Sequence, residues 1–323
     1  MRAFLRRAYL PLAAVLGFED SLLRRIRAAG SVVVLNLHSV SPERNDFYPP
    51  LHPDAFDRLL AFLCERLTVT TFAGLAGLPP GEPAAILSFD DGFYDFVEHA
   101  MPVLRRHGLR ANQNVIASSV LSGVPPWTQR FNDLLAGAPQ RLLAELRVPG
   151  FDRPAPADDP EARVRYGAAL GGFLTARSRA ERAPLVAELE HLLARADIRG
   201  TRMMSVADVK KAAAVHEIGA HSVAHDFMAR ESVDFFSADL NECERLFRDT
   251  LGLPLSVYAF PNGGHLPEQV EVLRRRGLSA ILLVGDRYAS RHGPVFARFN
   301  VGAREPRLMR LEALGVRARR QPW

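Results

Sequence analysis

The chain has 323 residues, 48% hydrophobic and 24% charged, a balance that excludes a disordered or fibrous protein and leaves room for one α/β barrel with an insertion or for two smaller domains. Its 41 basic residues outnumber 36 acidic ones, for a net charge of +5. The basic residues are arginines apart from Lys210 and Lys211 and are not interleaved with aromatics, so no nucleic-acid platform is expected. Cys64 and Cys243 have neither metal-ligand spacing nor the density of a disulfide scaffold.

At the N-terminus, Arg2, Arg6 and Arg7 precede the apolar run AYLPLAAVLGF, which is too short to span a bilayer. The pattern has the charge and length of the first two regions of a signal peptide, but Pro11 interrupts it and no small-x-small cleavage site precedes Glu19. Phe18, Leu22, Leu23 and Ile26 then recur at helical spacing, with Arg24, Arg25 and Arg27 mostly elsewhere. That periodicity fits an interfacial helix giving residues 1–30 peripheral membrane contact, or a helix packed on its own domain. The expected location is cytoplasmic with membrane association, the alternative being periplasmic or secreted.

From residue 31 a barrel-like domain is expected to run to residue 323. SVVVLNLH, residues 31–38, reads as a buried strand, and HPDAFDRLLAFLCERL as a helix with Pro53 in its first turn. After the LPPGEP break come a second strand, AAILSFDDG, a helix containing Met101 to Arg106, and a third strand, ANQNVIAS. From about 125 to 200 the alternation stops and several helices, broken at FDRPAPADDPEA, read as an insertion. The rhythm resumes with the helix SVADVKKAAA and the strands HEIGAHS, LSVYAFPNG, LSAILLVGD and PVFARFNVG. Strands alternating with helices argue for parallel βα units, which place functional side chains in loops at the carboxyl ends of strands.

Three polar clusters fall there. SFDDG sets Asp90 and Asp91 after an apolar strand, with Gly92 permitting a sharp turn; a helix N-cap is the plain structural alternative. Adjacent carboxylates repel unless a cation or proton separates them. GAHSVAH offers His221 and His225, which can converge on one metal ion, and a His pair with a carboxylate supplies the three protein ligands of a catalytic zinc-type site. Such a site lowers the pKa of water and polarises a carbonyl, the chemistry of amide or ester hydrolysis. YAFPNGG, residues 258–264, is by itself only a turn.

SFDDG, HSVAH and AFPNG, in this order and each after a strand, resemble the polysaccharide deacetylase family, also called carbohydrate esterase family four, over roughly residues 31–125 and 200–303. The resemblance implies an α/β fold, a distorted (β/α) barrel of about seven parallel strands with a helical insertion. It implies metal-dependent removal of N-acetyl groups from a sugar or polysaccharide, with Asp90 as catalytic base and Asp91, His221 and His225 as ligands of a divalent ion, zinc foremost. The Asn262 N–H would face the oxyanion. The family's arginine two residues before the proline is replaced here by Ala259, and no Leu-x-Leu-His strand follows AFPNG. LNLH at residues 35–38 has that pattern, and because first and last strands of a closed barrel are neighbours, His38 becomes the candidate general acid. This is similar to the permuted exopolysaccharide-deacetylase subgroup. His265 is a second proton-donor candidate, Asp46, Trp127 and Arg298 are candidates to contact sugar or steady the base, and Trp127, His265 and Arg298 form the expected substrate-binding set. Rival readings are the same mechanism on a non-sugar amide or O-acetyl ester, and a sugar-binding pseudoenzyme.

Overall fold

The computed structural model describes residues 18–43, 46–302 and 305–318. Its strands are β1 (Val32–Leu37), β2 (Thr68–Thr70), β3 (Ala84–Phe89), β4 (Asn112–Val115), β5 (Glu217–Ala220), β6 (Val257–Ala259), β7 (Ala280–Val284) and β8 (Val295–Asn300). Every pairing between them is parallel. β1 pairs along its whole length with β3 and, at Leu35 and Asn36, with β8, so seven strands close into a ring in the order β1-β3-β4-β5-β6-β7-β8. The first and last strands are therefore neighbours, as expected. β2 is an addition to the expected set: it pairs with Ala84–Ile86 on one edge of β3 while β4 takes Ser88 and Phe89. Three half-buried residues outside the ring carry too short a pattern to be read as a strand.

Alternation along each strand divides the barrel into two environments. Val33, Leu35, Leu87, Phe89, Tyr258 and Ile281 pack outward in the large core beneath the helices. Val32, Val34, Ala84, Ile86, Val257, Ala259, Ala280, Leu282 and Phe296 form a separate interior cluster, joined by Phe72 and Leu75 from the segment after β2. Further along the same inward rows the residues turn polar, at Asn36, Ser88, Asn112, Asn114 and Arg298, all buried. The apolar layer thus fills the amino-terminal half of the barrel and leaves the carboxyl end for polar chemistry. Gly219 sits where β4, β5 and β6 approach closely: a Cβ there would lie 2.2 Å from Asn114 Oδ1 and 2.9 Å from Val257 Cβ.

The helices are α1 (Phe18–Ala29), α2 (Pro53–Arg66), α3 (Met101–Arg106), α4 (Ala117–Ser122), α5 (Trp127–Gly137), α6 (Gln140–Leu143), α7 (Pro160–Thr175), α8 (Arg179–Arg195), α9 (Val206–Ala213), α10 (Val233–Arg245), α11 (Pro267–Arg275) and α12 (Pro306–Ala313). Helices α5 to α8 share an apolar cluster of their own, including Phe131, Leu135, Leu170 and Leu189, distinct from both barrel clusters. Helix α1, residues 18–29, takes the packed-helix arrangement. Its Leu22, Leu23 and Ile26 are buried in the barrel's outer core, and Glu19 pairs with Arg310 of α12 at 3.1 Å, so the apolar face is already covered. The apolar run and signal-like features of residues 1–17 lie outside the described residues. No helix among the described residues is long and apolar enough to cross a membrane.

Candidate metal and hydrolytic site

The three motif loops meet at the carboxyl end of the barrel. After β3, Asp91 and Gly92 take positive φ, +75° and +77°, which folds the chain back and turns both carboxylates toward one region. A Cβ at Gly92 would also press on Val115, 3.3 Å away. Among the described residues, the non-glycine positive-φ positions are Asp91, Ser222, His225 and Asn262, and all belong to these loops. Such backbone persists where the surroundings over-determine it, as they do around functional sites.

Asp91 Oδ1 lies 3.5 Å from His221 Nε2 and 3.4 Å from His225 Nε2, and one ligand atom from each of the three residues falls within 4.8 Å of the others. Two ligands on a tetrahedral ion, bonded at about 2.0–2.1 Å, stand about 3.3 Å apart. The spacing therefore fits such an ion. Asp91 Oδ1 is also buried without a hydrogen-bond partner, an arrangement that calls for a cation or a proton. Burial and the neighbouring Asp90 charge push the Asp91 carboxyl well above the usual carboxylate range. Burial pushes both imidazoles down and keeps them neutral, the form that ligates metal. His221 Nδ1 is 2.8 Å from the Ala259 carbonyl, and as its N–H donor it directs Nε2 to the cluster.

Asp90 is held differently. Arg298 of β8 donates to both its oxygens, from NH1 to Oδ1 and from NH2 to Oδ2, at 2.7 Å each. Asn114 donates to Oδ1 at 2.8 Å, and Ser88 Oγ accepts from both Arg298 and Asn114. Burial alone would raise the Asp90 pKa, but the Arg298 charge, followed by His221, holds it well below the usual range. Arg298 is fully buried, so its expected contact with substrate is corrected: a guanidinium sealed beneath the carboxylate cannot touch a sugar. What the geometry shows is a guanidinium from β8 bound to both oxygens of Asp90.

His38, just past β1, lines a cavity of about 700 Å³ together with Asn262, Tyr48 and Asn300. Burial pushes its pKa down to about 4 against the opposing pull of Asp90, with Arg298 and His221 pushing it down further. At neutral pH the imidazole therefore rests neutral. Tyr48 stands edge-on to His38, with ring centroids 5.0 Å apart, and burial followed by the charges of Asp91 and Asp90 pushes its hydroxyl well up. An aromatic residue in a polar loop gave no sequence signal for this. Asn114 did leave one, because NQN is unexpectedly polar for a buried strand.

The remaining candidates have contacts of their own. His265 Nδ1 is 3.0 Å from the Gly263 carbonyl, with its ring against Phe260, and Asp46 is exposed on the loop before Tyr48. Trp127 opens α5 and lies 5.0 Å from the Arg182 guanidinium, in a cleft between the helical insertion and the loop after β5. It is not among the residues lining the cavity of His38.

Residues 185–281 match the family model described as polysaccharide deacetylase. The matched stretch holds His221, His225 and AFPNG, while Asp90, Asp91 and His38 fall outside it. No curated protein matches the chain. Among solved structures, the chain is similar to the Streptococcus pyogenes deacetylase PplD, with 14% identity, 88% of this chain and 98% of that one covered, and a TM-score of 0.56. It is similar to IcaB from Ammonifex degensii at 18% identity, covering 88% and 97% with a TM-score of 0.55. It is also similar to a de-N-acetylase from Aggregatibacter actinomycetemcomitans at 13% identity, covering 83% and 93% with a TM-score of 0.51. At these identities the likeness is one of fold. The chain thus resembles that family over residues 185–281 and shares the fold of these structures.

Proposed function

We propose that the chain is a metal-dependent hydrolase that removes N-acetyl groups from a sugar or polysaccharide. The observation that carries this reading is the convergence of Asp91 Oδ1, His221 Nε2 and His225 Nε2 beside an Arg298-bound Asp90. A divalent ion, zinc foremost, bound by those three residues would supply Lewis acidity to water and to the acetyl carbonyl. Asp90, not a ligand in this assignment, accepts the proton of the attacking water. Arg298 and Asn114 fix the direction of its oxygens. The N–H of Asn262, at the left-handed turn after β6, faces the developing oxyanion. His38 rests neutral, so it first takes up a proton, supplied by the one Asp90 removes from the attacking water, and then hands it to the departing amine. The neighbours named a deacetylase and a de-N-acetylase support the same reaction class.

The test is acetate release from N-acetylated oligosaccharides together with metal content. Wild type is expected to bind about one divalent ion per chain. Asp91→Asn should lose metal and activity, whereas Asp90→Asn should keep metal and lose turnover. Equal metal loss in the two variants would refute the division of roles. Full metal occupancy in folded His221→Ala and His225→Ala variants would refute the site.

A further inference from the structure

The residue after the second histidine, Asp226, turns away from the cluster and into the insertion. Its carboxylate is almost fully buried and lies 2.5 Å from Arg182 NH2 and 3.2 Å from Arg179 NH1. The Arg182 side chain is only 3% exposed, and its NH1 also donates to the Arg177 carbonyl at 3.1 Å. Five residues further on, Glu231 accepts the Arg179 N–H at 2.5 Å, so two carboxylates from the segment after β5 meet the first turn of α8. Buried carboxylates at a helix start complement its dipole.

The placement of this contact is informative. The insertion's apolar cluster is separate from the barrel's, so at the histidine loop the two bodies are joined by buried charge. The loop itself is bent sharply, with positive φ at Ser222 and His225. Its middle is tied by Val223 N–H donating to Asp239, at 3.2 and 3.0 Å to the two oxygens, and by Ala117 and Ser118 N–H donating to the Ser222 and Val223 carbonyls. Its far end, at His225, is followed at once by the Asp226 clamp.

We propose that Arg182 is a positioning residue for the metal: through Asp226 the insertion holds the backbone of His225 in the conformation that turns Nε2 toward Asp91 and His221. This rests on the reading of those three residues as metal ligands. The insertion is then part of the metal site's construction, and outer partners of this kind are commonly worth 10- to 100-fold in metal affinity.

The experiment measures zinc affinity by competition with a chromophoric chelator, alongside the thermal midpoint of the chelated protein. Arg182→Met should weaken zinc binding about 10- to 100-fold and lower the midpoint, because the buried Asp226 keeps only the half-exposed Arg179 as an ionic partner. The double variant Arg182→Met with Asp226→Asn removes that charge. It should regain most of the midpoint while zinc affinity stays low, and Arg182→Lys should restore part of the affinity. A double variant that recovers both would overturn the proposal, as would an Arg182→Met protein that binds zinc as tightly as wild type. Failure of wild type to bind zinc, cobalt or manganese would refute the ligand reading and this inference with it, whereas wild-type binding with an indifferent Arg182 variant would refute this inference alone.

Discussion

Replacing Arg298 by methionine keeps most of the side chain's volume and removes two charge-assisted hydrogen bonds to a buried carboxylate. Breaking a buried pair from one side costs about 3–5 kcal/mol, chiefly because the surviving charge is stranded. In a chain of this length that corresponds to a fall in Tm on the order of 10 °C. The sign of the pH dependence should invert. In wild type the Asp90 pKa is depressed, so its contribution to stability is present above the ordinary aspartate range near 4 and is lost as pH falls through the folded value. Without Arg298, burial dominates and the folded pKa rises, so stability is instead lost as pH climbs from about 4 through the new value. Thermal midpoints between pH 3 and 8, taken with chelator present, would show the reversal. In turnover, the acidic limb that belongs to Asp90 should move upward by one or more pH units, since each unit reflects about 1.4 kcal/mol. A folded Arg298→Met protein with an unmoved limb and an unchanged slope of Tm against pH would refute the assignment of Arg298 as the group that sets the charge of the base.

Three further outcomes are expected. His38→Ala should slow amide hydrolysis about 100- to 10,000-fold while leaving metal content intact and sparing esters with good leaving groups; equal losses on both substrates would make His38 structural. Gly219→Ala should destabilise the chain by about 1–3 kcal/mol, read in a denaturant melt, because the methyl group collides with Asn114 Oδ1 and Val257; a neutral result would mean that β4 and β6 can yield there. Burial raises the Asp239 pKa to about 7, so its share of stability, a few kcal/mol at most, is lost as pH rises from about 4 through 7. Asp239→Asn should flatten that slope in melts between pH 5 and 8, and an unaltered slope would count against the raised value.

Much of the barrel could be read from the sequence because its strands are continuous apolar runs that end in polar loops, as at β1, β3 and β7. Asp91, His221 and His225 were legible because chemistry restricts which residue types can share a cation. Arg298 was harder. A lone arginine in FARFN has no spacing relation to Asp90, and only ring closure reveals that β8 points it inward at the carboxylate. The same holds for Arg182 and Asp226, 44 residues apart, whose meeting depends on how the insertion folds back. The resting charge of His38 was not legible for a different reason: the sequence shows the imidazole but not the burial that moves its pKa.

The ring order carries a consequence for how the protein is made. β1 and β3 emerge early and can zip along six residue pairs while synthesis continues, but the β1–β8 seam must wait for nearly the whole chain. Domains of this size commonly pass through partly formed states, and contacts distant in sequence form slowly. Until β8 docks, Asp90 has no guanidinium and Asn36 lacks its 2.7 Å contact with Asn300. The growing barrel therefore holds an open seam lined with unmet polar groups, which water can fill. Insertion of the last strand drives that water out and fixes the direction of the Asp90 carboxylate in the same event, so a chain stalled before β8 lacks the guanidinium that orients Asp90, even with both histidines and Asp91 already made.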